Sequence, residues 1–106
     1  MTKPLQDLRR LEPFYNAGFQ NRFLDVALRK IVFHQIERDE ADLARVEAVL
    51  GEFEQRYGPS STDFWQRYQA SQMQDETDFM EWNAFCKMHQ RLVERLHILR
   101  GDQADA

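Results

Sequence analysis

Tyr57 to Leu96 reads YGPSSTDFWQRYQASQMQDETDFMEWNAFCKMHQRLVERL, and its punctuation decides the fold. Gly58 and Pro59 stop whatever helix precedes them. Glycine takes the left-handed cap at little steric cost, and proline has no N–H with which to continue the ladder. Ser60 or Ser61 then caps a short helix that ends near Tyr68 or Gln69, and the spacing Ser60-x-x-Asp63 has the form of a capping box. Phe64, Trp65 and Tyr68 give that helix an aromatic face. The run Asp75-Glu76-Thr77-Asp78 opens a further helix, because carboxylates there complement the positive end of the helix dipole and accept bonds from its free N–H groups. Beyond it Trp82, Phe85, His89, Leu92, Leu96 and Leu99 recur at three- and four-residue steps, widened by Phe79, Cys86 and Val93 into a core-facing stripe. Gly101 ends the pattern, and 101–106 reads as a disordered tail.

Upstream, no glycine or proline lies between Phe19 and Leu50. A small β-domain needs turn residues every 8–12 positions or so, so this stretch reads as helix. Ile36, Leu43, Leu50 and Tyr57 are spaced by seven, with Val46 and Phe53 between them, a seam that needs a partner helix. A single helix from about Phe19 to Arg56 would span on the order of 55 Å, too long for a compact monomer of this size. Asp39 falls where the seam calls for an apolar residue, so Glu37 to Glu40 reads as a break or an unpartnered stretch. Residues 1–18 read as an N-terminal arm in which Leu5, Leu8 and Leu11 form a turn or two of helix, ended by Pro13 and then by Asn16 and Gly18. The expected architecture is all-α. A long helix, a short connecting helix and a third helix form an antiparallel helical hairpin over 19–100, assembled as a dimer or higher oligomer. Phe23, Ala27 and Ile31 face the second subunit or a foreign partner.

Composition narrows the function. A 106-residue chain with a net charge of −4 lacks the cationic surplus of a non-specific nucleic-acid binder and suits a basic partner. The single cysteine, Cys86, forms no intrachain disulfide and no CxxC metal knuckle. No signal-like or membrane-spanning apolar run is present, so the expected location is cytoplasmic and no membrane contact is expected.

The candidate chemistry is sparse. Glu94-x-x-His97 matches a step used in helical di-iron bundles, with Glu47, Glu52 or Glu54 as conceivable further ligands, but both residues lie off the leucine seam and read as a solvated face. His89 sits inside the seam, either bonded to a tyrosine, carboxylate or carbonyl, or acting as a register-setting or pH-sensitive group. Cys86, between Phe85 and Lys87, reads as a small buried hydrophobe. No Ser-His-Asp order, phosphate loop or HExxH occurs, so no enzyme activity, cofactor or metal is expected. Arg9, Arg10, Arg22, Arg29 and Lys30 cluster towards the N-terminus and could meet phosphates, yet no helix-turn-helix or ribbon spacing accompanies them, which leaves DNA binding open. Trp65, Phe79 and Trp82 supply either a small core or the aromatic anchors of an interface.

The pattern Tyr57-Gly58, Ser60-Ser61, Phe64, Asp75, Asp78-Phe79, Glu81-Trp82, Met88 and Arg91-Leu92 resembles a group of small all-helical prokaryotic proteins, some presumed to be antitoxin-like partners of a small adjacent toxin. The resemblance covers roughly 45–100. It implies a non-enzymatic interaction module that occludes a basic, RNA-cleaving toxin with an acidic helical surface, and it implies no catalytic residues. That group tends to have glycines in the linker where this chain has Ser71 and Gln74, and residues 1–35 show no DNA-binding head. A homo-oligomeric coiled-coil scaffold and, after it, a helical-bundle metal protein are the alternatives.

Overall fold

The structure is a computed structural model that describes residues 3–101. Its elements are α1 (Lys3–Asn16), α2 (Arg22–Tyr57), α3 (Ser61–Gln69) and α4 (Thr77–Leu99), with no strand among the described residues. The expected tail 101–106 lies, after Gly101, outside the described residues. The chain divides into two compact units, Met1–Phe33 and His34–Ala106, the division falling within α2.

In the first unit α1 continues through Pro13, the first of the three expected stops, and ends at Asn16, the second. Proline removes only one bond so close to the C-terminus, and the helix closes three residues later. Gly18, at φ 90°, sends its N–H to Tyr15 O while the Phe19 N–H reaches Phe14 O, the paired bonds of a left-handed helix stop. Asn21 then caps α2, its Oδ1 accepting the Leu24 N–H at 2.9 Å, so α2 starts later than the apolar pattern suggested. The Tyr15 hydroxyl donates to Asp25 at 2.5 Å, and Phe14 stacks on Phe19 with ring centroids 5.4 Å apart. No described residue of this unit is buried.

The second unit has a core. Val46, Leu50 and Phe53 from α2, Phe64 from α3, and Trp82 and Cys86 from α4 form one buried cluster. Trp82 is its centre: the indole lies between Phe64 at 3.9 Å and Phe53 at 5.4 Å, nearly parallel to both, and its Nε1 donates to Ser61 Oγ at 3.0 Å. Burial of such a ring removes some 150–250 Å² from water, and here all three helices share it. Polar contacts join α2 to α4 and its C-cap: Arg100 donates to Glu40 at 2.5 Å, Arg95 pairs with Asp39, His89 meets Glu47, and Tyr57 bonds Asp78.

The turn chemistry follows the sequence at most joints. Gly58, at φ 103°, returns its N–H to Glu54 O, and Ser60 Oγ accepts the Asp63 N–H at 3.1 Å. α4 opens within the acidic run, as expected, with Asp78 in its first turn, but the expected carboxylate cap bond is not made. Glu76 is the N-cap and makes no side-chain cap bond. The acids of this run are used elsewhere: Asp75 accepts the Tyr68 hydroxyl at 2.7 Å, and Asp78 accepts from Tyr57 and Arg56. Tyrosine hydroxyls brought up by α2 and α3 thus take carboxylates that the isolated helix would have turned on its own N–H groups.

Two further expectations are corrected. Asp39 marks no break, because α2 is continuous and the carboxylate is buried at 1% exposure. Val93 lies outside the core stripe, 46% exposed, since the stripe's centre follows Trp82, Cys86 and Leu96 instead.

Candidate interaction surfaces

Asp39 is held from three directions. Arg95 donates through Nε at 2.9 Å and Nη2 at 3.1 Å, and Gln35 Nε2 donates at 2.9 Å. The fork geometry of the guanidinium matches the two carboxylate oxygens, which makes this the strongest polar contact between α2 and α4. Desolvating a carboxylate is costly unless its lone pairs are filled, and here they are.

A cleft of about 380 Å³ opens between α2, α3 and α4, walled chiefly by Glu47, Leu50, Glu54, Trp65, Cys86 and His89. Glu54 accepts the Ser61 N–H at 2.7 Å, so this carboxylate, seven residues away, helps to start α3. His89 Nε2 lies 3.1 Å from Glu47 Oε2, the carboxylate contact foreseen for a half-buried seam histidine. Trp65 Nε1 is buried with no hydrogen-bond partner. The Cys86 thiol points to Ser61 O at 3.8 Å, and burial first, then the nearby Glu54 charge, push its pKa up to about 11. A thiol so poised is protonated at neutral pH and is a poor nucleophile.

The first unit presents a different surface. Phe23 is 80% exposed and Ile31 65%, with Ala27 half-buried one turn from each. Phe19, Phe33, Leu5 and Leu8 are exposed beside them in the same unit. Of the aromatics expected at an interface, Trp65 and Phe79 are half-buried, packed against the core cluster, and Trp82 is wholly enclosed. Trp82 therefore offers no surface to a partner, and its role is in the core. Glu94 and His97 are exposed on α4, and no group of three or more metal-ligating side chains exists among the described residues. No helix among the described residues is long and apolar enough to cross a membrane.

The sequence reading missed the Asp39–Arg95 clasp, which joins residues 56 positions apart. The available signal was a lone acid in an apolar seam, and it was read as a defect in that seam. Phe33 was likewise missed, since it lies off the seam that Ile36, Leu43 and Leu50 define.

Comparison with protein-family models, with curated proteins and with solved structures found no match to this chain.

Proposed function

We propose that this chain is a non-enzymatic interaction module that binds a basic partner protein through its second unit, in the manner of an antitoxin covering a small basic toxin. The observation that supports this is the partition of charge. Residues 34–101 have thirteen acidic side chains against eight basic ones, whereas 1–33 have three against six. The acidic unit is also the one with a packed core, to which α2, α3 and α4 all contribute. A preformed acidic surface speeds encounter with a cationic protein and fixes its orientation without ordering cost. The cleft beside Glu47 and Glu54, with Trp65 in its wall, is the natural centre of that surface.

Co-expression with the products of adjacent genes tests the reading. A small basic protein that co-purifies, and whose toxicity this chain relieves, is the expected result. Binding should weaken steeply with salt and with Glu47→Gln plus Glu54→Gln. Absence of any such partner, or a complex indifferent to both substitutions and to salt, refutes it.

Self-assembly in the cytoplasm is the second reading, and the exposure of Phe23 and Ile31 favours it. It is compatible with the first, since the two use different units.

A further inference from the structure

Glu54 is half-buried in the cleft between α2, α3 and α4, and no cation pairs with it among the described residues. Its one hydrogen bond, from the Ser61 N–H, leaves an oxygen and the net charge unanswered. Carboxylates withdrawn from water are ordinarily paired, because desolvation penalises a lone charge. The charge is felt at the floor of the cleft, where it adds to burial in raising the Cys86 thiol.

The rest of the cleft is just as incomplete. Leu50 and Cys86, 8% and 6% exposed, give it an apolar floor. Trp65 stands in the wall supplied by α3, and its buried Nε1–H has no acceptor among the described residues. Glu47 lies two turns before Glu54 on α2, about 10 Å along the axis, and is the outer of the two acids, its side chain 56% exposed. Glu47 meets His89, which leaves Glu54 as the unpaired anion of the site. The cleft therefore lacks one cation and one hydrogen-bond acceptor.

We propose that this cleft is a guanidinium subsite, filled in the complex by an arginine side chain of the basic partner. This rests on the basic-partner reading and names the group that the partner inserts. An arginine within a peptide carries both missing pieces. Its guanidinium takes Glu54, its methylene stem covers Leu50, and its main-chain carbonyl accepts the Trp65 Nε1–H after a small turn of the indole. The apolar floor favours arginine over lysine, since a guanidinium is more weakly hydrated than an ammonium and its plane stacks on an indole. The volume of about 380 Å³ lies at the lower end of small-ligand sites and admits one side chain with its flanking peptide groups. Glu47, at the mouth, draws the cation in on approach.

Titration of the ¹⁵N-labelled full chain with N-acetyl-arginine amide, followed through its two indole N–H signals, tests the subsite. The Trp65 signal should move downfield and saturate with a dissociation constant of about 1–10 mM, because its proton gains an acceptor. The Trp82 signal, already bonded to Ser61, should stay in place. N-acetyl-citrulline amide, a neutral urea of the same shape, should move neither. Glu54→Gln should weaken binding at least ~5-fold. Glutamine keeps an oxygen for the Ser61 N–H, and an unmoved Trp82 signal would verify the fold. Glu81→Gln, exposed on α4 outside the cleft, should bind as wild type does. No saturable shift up to ~50 mM, an equal response to the citrulline compound, or indifference to Glu54→Gln would overturn the subsite. If a basic protein co-purifies through Glu47 and Glu54 while the arginine probe fails to bind, the subsite falls and the basic-partner reading stands. If the probe binds but no basic protein partner exists, the subsite stands for a free guanidinium compound and the basic-partner reading falls.

Discussion

Truncating Arg95 should cost more than truncating Asp39, although the two belong to one ion pair. The carboxylate side chain is 2% exposed and the guanidinium side chain 57%. Arg95→Ala strands a buried anion with a single remaining donor, Gln35. Breaking a fully buried pair in this way costs about 3–5 kcal/mol; water already reaches the arginine side, which lowers the expectation to about 2–3 kcal/mol. Asp39→Ala releases a guanidinium that turns into solvent, so the loss is confined to the hydrogen bonds and a small cavity, about 1–2 kcal/mol. The pair Asp39→Leu with Arg95→Met replaces charge by apolar volume and should fall within about 1 kcal/mol of wild type, or above it. Urea unfolding followed by helical circular dichroism and tryptophan emission gives all three values. Equal costs for the two truncations, or an Arg95→Ala protein within about 0.5 kcal/mol of wild type, would refute the assignment of the desolvation penalty to Asp39.

Three further expectations follow from other parts of the second unit. Trp82→Ala, removing the ring that Phe53 and Phe64 stack on, should cost about 3–5 kcal/mol and lower the melting temperature accordingly, as thermal melts would show; a loss below about 1 kcal/mol would contradict its central place in the core. Ser71 holds a left-handed backbone at φ 59°, its N–H on Tyr68 O and the Gln72 N–H on Arg67 O; Ser71→Gly should raise stability by up to about 1 kcal/mol in urea titration, and destabilisation would show that the serine side chain matters there. Cys86 should resist alkylation at pH 8 until the chain unfolds. Its folded pKa, about 11, lies above the ordinary 9, so the unfolded thiol ionises first and stability should fall as pH rises between those values, with a smaller loss in Cys86→Ala, where only the raised tyrosines Tyr15, Tyr57 and Tyr68 contribute.

Local stereochemistry made much of the second unit legible. Gly58 and Ser60 announce their conformations because the reason lies in the residue itself, and the stripe from Trp82 to Leu96 announces itself by period. Asp39 shows the limit: its partner lies on another helix, and the same carboxylate would be a break in one tertiary setting and a clasp in another. The cap bond at the start of α4 is absent for a related reason. Asp75 and Asp78 suit a helix terminus locally, but Tyr68 and Tyr57, placed by the rest of the unit, compete for them. Of the three stop signals in the arm, Pro13 lies inside α1, while Asn16 and Gly18 mark its end. At the surfaces, helical spacing located the exposed Phe23 and Ile31, but whether Trp65, Phe79 and Trp82 faced inward depended on how α3 lies against α4.

The indole of Trp82 ties together elements that would otherwise come apart separately. α3 has nine residues, far below the length at which a helix persists in water. Its Phe64 nonetheless lies under Trp82 at 3.9 Å, and Phe53 covers the opposite face of the same ring. α3 cannot peel away without exposing the ring on which α2 and α4 also meet. Amide hydrogens in this short helix should therefore exchange with solvent only when the whole second unit opens, as slowly as those at the middle of α4.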